Sequence, residues 1–239
     1  MTRLAIVSAM HEEIAALQPC LEGLHTEQRA GRDFHFGRLD GHDVILVRCG
    51  IGKVAAATTT AVLLDAFDAG ALLFTGVAGG LGEGVRVGDI VVASALLQHD
   101  MNAEPLFPRW EVPLTGRARF DADAAWSIRL VRASHALAAA NLHAHGATIH
   151  HGLVVSGDRF VATRAESDQL RAALPDALAV EMEGAAVAQV CHDFGRPFGV
   201  VRTVSDRADD AAHGDFQHFV CDVAAPYSRD IVRAALALR

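Results

Sequence analysis

The stretch Ala179-Val180-Glu181-Met182-Glu183-Gly184-Ala185-Ala186 carries two carboxylates across the join between an apolar, strand-like run and an Ala-rich, helix-like run. A strand passing directly into a helix is the building unit of an α/β fold. Carboxylates among apolar residues are costly to bury unless they are paired, hydrogen-bonded or used in chemistry. The pattern recurs elsewhere in the chain. Val200-Val201-Arg202-Thr203-Val204-Ser205 ends on Asp206, and Leu4-Ala5-Ile6-Val7-Ser8-Ala9-Met10 leads into Glu12-Glu13. Three apolar runs thus end in acids, and strand C-termini are where α/β proteins bind ligands.

Outward from these joins, strands are expected at 3–9, 34–39, 43–48, 71–77, 89–97, 147–155, 178–182 and 198–204. Helices are expected at 11–18, 53–67, 121–141, 163–174, 183–193 and 217–237. Asp121 and Asp123 suit the positive end of a helix dipole. Thr163 with Glu166 has the spacing of a capping box, and Leu39-Asp40-Gly41-His42 is a turn signal inside a hairpin over 34–48. The alternation predicts a single-domain, three-layer α/β fold over 1–239, with a central mixed, mostly parallel sheet flanked by helices. No repeat, linker or low-complexity tract divides the chain.

Hydrophobic residues make up 51% of the chain and charged residues 21%, enough apolar material for a sizeable core. The net charge of −8 argues against a nucleic-acid partner, which needs a basic face. No uninterrupted apolar stretch approaches the roughly 18 residues of a spanning helix, and the first residues do not resemble a signal peptide. A soluble cytoplasmic protein with no membrane partner is the expectation. Cys20, Cys49, Cys191 and Cys221 are widely spaced, which suggests neither a zinc site nor a disulfide framework. His143, His145, His150 and His151 cluster without a Cys or acid to complete a ligand set, so no metal is expected.

Gly50-Ile51-Gly52-Lys53 follows one strand, and Thr75-Gly76-Val77-Ala78-Gly79-Gly80-Leu81-Gly82 follows another. Each reads as a tight turn or as a cradle where a ligand approaches the backbone. Neither is a dinucleotide fingerprint or a Walker A loop. The long segment 98–119 is broken by Pro105, Pro108 and Pro113 and carries Leu106, Phe107 and Trp110. A loop of this length closes a ligand site, forms an interface or packs on its own domain.

Taken together, these residues resemble the 5′-methylthioadenosine/S-adenosylhomocysteine nucleosidases of the purine nucleoside phosphorylase superfamily. The resemblance rests on Ala9-Met10-His11-Glu12-Glu13, Gly50-Ile51-Gly52-Lys53-Val54-Ala55-Ala56, Thr75-Gly76-Val77-Ala78-Gly79-Gly80 and Val87-Gly88-Asp89-Ile90-Val91-Val92. It continues through Gln98-His99-Asp100, Val155-Ser156-Gly157-Asp158-Arg159-Phe160, Val180-Glu181-Met182-Glu183-Gly184-Ala185-Ala186 and Val201-Arg202-Thr203-Val204-Ser205-Asp206, in order from about residue 3 to 225.

The resemblance implies a hydrolase that cleaves the N-glycosidic bond of methylthioadenosine, S-adenosylhomocysteine and 5′-deoxyadenosine, an activity of nucleoside catabolism and methionine salvage, with no cofactor. It implies Asp206 as general acid on adenine N7 and Glu13 as the base that activates water. It implies Glu183 on the ribose hydroxyls, Met182 lining the ribose pocket, and Phe160 with the Val161 backbone on adenine. Met10, Ile51 and Phe216 would pack on the ribose and alkylthio side, with Glu181 and Arg202 in support. A homodimer is implied, in which loop 101–116 reaches the neighbouring site and offers it Phe107 or Leu106.

The chemistry accounts for these residue types. Departing adenine leaves an oxocarbenium ion; a general acid neutralises the leaving group, and a base on the opposite sugar face activates water. A carboxylate at Glu13 would repel phosphate, which favours hydrolysis over phosphorolysis. Val77 stands where the family often has Ser or Thr, removing a hydroxyl near ribose and water, and Gly184 stands where Ala is common. Two rival readings are a hydrolase of another 6-substituted purine nucleoside and a non-catalytic nucleoside binder on the same fold. The joint presence of an acid and a base argues against the binder.

Overall fold

The computed structural model describes residues 3–140, 146–208 and 219–238. At its centre is β1 (Leu4–Ser8), buried along its whole length. Leu4 and Ile6 point into one apolar cluster and Ala5 and Val7 into another. Successive strand side chains face opposite ways, so this strand is covered on both sides. Helices α2 (Lys53–Asp65) and α5 (Gly184–Asp193) pack against each other over one face. The short α1 (His11–Ile14), α3 (Ala124–Ala139) and α6 (Ala225–Ala237) cover the other. A smaller third cluster joins Leu97, Val155 and Val180 to α4 (Arg164–Ala173) through Leu170.

Parallel pairings run from β4 (His42–Arg48) through β1 and β5 (Ala71–Gly80) to β10 (Phe198–Asp206). A second parallel set joins β6 (Ile90–Gln98), β8 (Ile149–Ser156) and β9 (Ala177–Glu181). Antiparallel contacts β10–β6 and β5–β9 link the two sets. The five strands β5, β10, β6, β8 and β9 therefore close into a ring, with β1, β4 and an antiparallel hairpin extending from it. The long β5 makes closure possible: it pairs with β10 from Leu72 to Gly79, and on its other side Ala71 to Phe74 pair with β1 while Gly79 and Gly80 pair with β9.

The expected strands are present, and so is the turn at Asp40-Gly41, where both residues have positive φ. Two strands lack an apolar signal. β2 (Glu22–Arg29) is exposed throughout and pairs with β3 (Arg32–Leu39) at the sheet edge, where charged side chains discourage further pairing. β7 (Arg119–Asp121) is three residues long and buries only Phe120. Asp121 thus belongs to a strand, and Asp123 alone caps α3, accepting the Trp126 N–H at 2.9 Å. The Thr163 cap of α4 forms as expected. Among the described residues no helix is long and apolar enough to cross a membrane.

Candidate functional site

β1, β5, β9 and β10 send their C-terminal ends to one cavity of about 720 Å³. Its wall includes Met10, Glu13, Ile51, Val77, Phe160, Val161, Glu181, Met182, Glu183 and Asp206. Every described residue assigned to the catalytic or same-chain substrate site is therefore on one surface. Phe216 falls outside the described residues, and Phe107 does not line the cavity.

Glu13 is 2% exposed although it is acidic, so its hydrogen bonds decide whether it is tolerated there. Its Oε2 accepts the Met10 N–H at 2.8 Å and its Oε1 accepts the Val77 N–H at 3.0 Å. Burial raises its pKa above the ordinary 4.5, opposed by the Arg202 charge and these backbone donors. Gly76 is what allows Glu13 this close to β5. A Cβ there would lie 2.6 Å from Arg202 Nη1 and would also strike the Glu13 carboxylate.

Asp206 ends β10 after a register shift between Val204 and Asp206. Such an irregularity re-aims a side chain at the end of a strand. The carboxylate accepts the Ala208 N–H at 2.7 Å on Oδ1 and the Ser205 hydroxyl at 2.8 Å on Oδ2. A Cβ on Gly79 would lie 3.0 Å from Asp206 Oδ1. The second glycine segment is thus strand rather than turn. Gly76 and Gly79 admit neighbouring charged side chains, whereas Gly80 and Gly82 pack against Val204, Val85 and Leu178.

The two glutamates of the opening stretch have different partners. Glu181 accepts the Glu183 N–H at 3.2 Å, the Gly184 N–H at 2.8 Å and the Arg202 Nη2–H at 2.5 Å, all on Oε2. The Ser156 hydroxyl donates to its Oε1 and accepts the Ala185 N–H at 2.7 Å. Glu181 and Ser156 therefore close the start of α5. Glu183 turns the other way: its Oε1 accepts the Gly52 N–H at 2.7 Å. Burial pushes the Glu183 pKa up to about 8; the Glu181 charge adds to this and Arg202 opposes it. Arg202 is buried, with its guanidinium carbon 4.0 Å from the centre of the Phe74 ring. One cation, desolvated over an aromatic face, thus lies among Glu13, Glu181 and Glu183.

Sequence reasoning missed the clasp that holds the Gly50–Lys53 turn. Lys53 Nζ donates to Asp100 Oδ1 at 2.6 Å and to Gln98 Oε1 at 3.1 Å. The Lys53 N–H donates to Asp158 Oδ1 at 2.7 Å, and the Asp158 N–H to Asp100 Oδ2 at 3.0 Å. The signal was available: Lys53 is the chain's only lysine, and Asp100 and Asp158 each follow a strand. Among the described residues no group of three or more His, Cys, Asp or Glu is arranged to hold a metal ion.

Comparison with known proteins identifies the family. The family model described as the phosphorylase superfamily matches residues 3–237. The 5′-methylthioadenosine/S-adenosylhomocysteine nucleosidase of Chromohalobacter salexigens is 39% identical, covering 98% of this chain and 96% of that protein. The protein of the same name from Anoxybacillus flavithermus is 38% identical, with 96% of each chain covered. Among solved structures, the Neisseria meningitidis nucleosidase in complex with methylthio-immucillin-A superposes with a TM-score of 0.91 at 34% identity over 100% of both chains. The Streptococcus pyogenes S-adenosylhomocysteine nucleosidase in complex with 5-methylthiotubericidin does so at 0.89 and 33%, covering 98% of this chain and 96% of that one. The chain belongs to the phosphorylase superfamily and, within it, to the 5′-methylthioadenosine/S-adenosylhomocysteine nucleosidases.

Proposed function

We propose that this chain hydrolyses the N-glycosidic bond of 5′-methylthioadenosine and S-adenosylhomocysteine, and also of 5′-deoxyadenosine, giving adenine and the 5-substituted ribose. The observation that carries this reading is the convergence of Glu13, Glu183 and Asp206 on one cavity from separate elements. Asp206 delivers a proton to N7 as the C1′–N9 bond breaks and its electron pair passes to the base. A general acid of this kind contributes about 10²- to 10⁴-fold. The oxygen of a water attacks the oxocarbenium carbon from the opposite face, and Glu13 takes the water's proton. Backbone donors on both Glu13 oxygens support this role by fixing the carboxylate. Glu183 receives the ribose hydroxyls on the oxygen that Gly52 leaves free. Phe160 and Val161 take the adenine, while Met182, Met10, Val77 and Ile51 line the sugar and the thioether. The reaction needs no metal or organic cofactor.

The same reading makes the protein a cytoplasmic homodimer, with loop 101–116 of one copy closing the neighbour's alkylthio pocket through Phe107 or Leu106. Leu106 and Leu114 are 84% and 90% exposed, which supports a docking role for the loop. The test is adenine release from methylthioadenosine by purified protein, with and without inorganic phosphate. Release independent of phosphate is expected. No release, or release only with phosphate, overturns the reading.

A further inference from the structure

At Ala9, Met10 and Ile51 the catalytic cavity meets a second, larger groove holding about 1690 Å³ of open space. Its charged walls come from α1 and from strands β3 and β4. Most of these groups already have partners. Arg32 donates to the carbonyls of Cys49 at 3.0 Å and Ala30 at 2.6 Å. Asp33 accepts from Gln28 at 3.0 Å, and His35 is bonded to Thr26 at 2.8 Å. Arg48 and Glu12 are different: neither side chain has a hydrogen-bond or ion-pair partner among the described residues. Arg48 ends β4 opposite Ser8, the last residue of β1, and Glu12 lies in α1 just beyond. An uncommitted cation and an uncommitted acid thus border one groove that joins the sugar end of the cavity.

We propose that this groove is the subsite for the α-amino-acid end of S-adenosylhomocysteine, with Arg48 taking the α-carboxylate and Glu12 the α-ammonium. The proposal rests on the function given above and extends it to the longer substrate. A simple anion would meet Glu12, and a simple cation would meet Arg48. A zwitterion satisfies both, and a guanidinium binds carboxylate in a paired geometry. Methylthioadenosine ends in a methyl group and gains nothing from either charge. The groove is therefore a specificity device between two substrates that share one set of reacting atoms.

The experiment measures kcat/KM for S-adenosylhomocysteine and for methylthioadenosine in the full-length protein, in Arg48→Ala and in Glu12→Gln. Exposed, charge-assisted contacts are worth enough to lower the homocysteine-to-methyl ratio about threefold to tenfold in each variant. Arg48→Glu, which places like charge against the carboxylate, lowers it further. A 5′-propylthioadenosine probe, of similar reach but uncharged, tracks methylthioadenosine in every variant. A ratio that does not move overturns the proposal, as does an equal loss on both substrates. Failure of the underlying reading looks different, because the unsubstituted protein then releases adenine from neither.

Discussion

The backbone N–H of Gly52 donates to Glu183 Oε1 at 2.7 Å, tying the turn that starts α2 to the turn that starts α5. The two residues are 131 positions apart in sequence. The bond occupies one oxygen of a carboxylate that lines the cavity.

Glu183 is held there at a cost in stability, and the sign follows from its pKa. An acid raised from 4.5 to about 8 is neutral in the folded protein where the unfolded chain is already charged. Its cost to stability develops as pH rises from about 4.5 to about 8. Glu181, Arg202 and Glu13 are the charged groups facing it. Glu183→Gln keeps the acceptor for Gly52 and removes the titration. Thermal unfolding should show it about 2–4 °C more stable than the parent at pH 8.5, and no more stable at pH 4.5. Adenine release should fall about 10²-fold. Equal melting shifts at both pH values would contradict the account.

Asp206→Asn preserves an acceptor for the Ala208 N–H and removes the proton that the proposed mechanism transfers. Turnover should drop by about 10²- to 10⁴-fold. Calorimetric titration with methylthioadenosine should still show binding. Normal turnover would move the general acid elsewhere.

Gly76→Ala drives a methyl group against Glu13 and to 2.6 Å from Arg202 Nη1. Overpacking of this kind costs about 1–3 kcal/mol, and here it also displaces Glu13, the proposed base. Urea unfolding should report the loss of stability, with a parallel loss of kcat. An unaffected midpoint would mean that β5 yields more easily than its burial suggests.

Arg202→Met removes the cation from beneath three carboxylates and leaves Glu181 buried and unpaired. Breaking a buried pair from one side costs about 3–5 kcal/mol, although Met retains some packing on Phe74. With the opposing charge gone, the Glu13 pKa rises further above its ordinary value. The acid limb of the kcat profile should accordingly move to higher pH, which a purely structural defect would not cause.

The three acid-tipped strand ends were legible because each follows a continuous apolar run, and a strand covered on both faces shows this clearly. β2 was not legible because every side chain in it meets solvent, so Gly23 to Gln28 carry no alternation. The segment holding Gly76 and Gly79 reads from sequence as a tight turn or a ligand cradle. Their reason for being glycine is the approach of Glu13, Arg202 and Asp206, all distant in sequence. The difference between Glu181 and Glu183, which in the sequence only the family resemblance implies, has the same kind of cause. It depends on Ser156, Arg202 and Gly52, and no local pattern announces them. The clasp of Lys53 with Asp100 and Asp158 differs, because the lone lysine and the two acids after strands are visible in the sequence and only their pairing needs the fold.

The ring formed by β5, β10, β6, β8 and β9 has a mechanical consequence. Three of its members, β5, β9 and β10, line the cavity. None of these three has a free edge along which it can slip. Glu181 and Asp206 sit on the hoop itself, whereas Glu13 reaches it from α1 and is held there by the Val77 N–H of β5. The β4–β3–β2 flap hangs outside the hoop on β1. Evolution can lengthen or recharge it, and reshape the groove at Arg48, without resetting the distances on which bond cleavage depends.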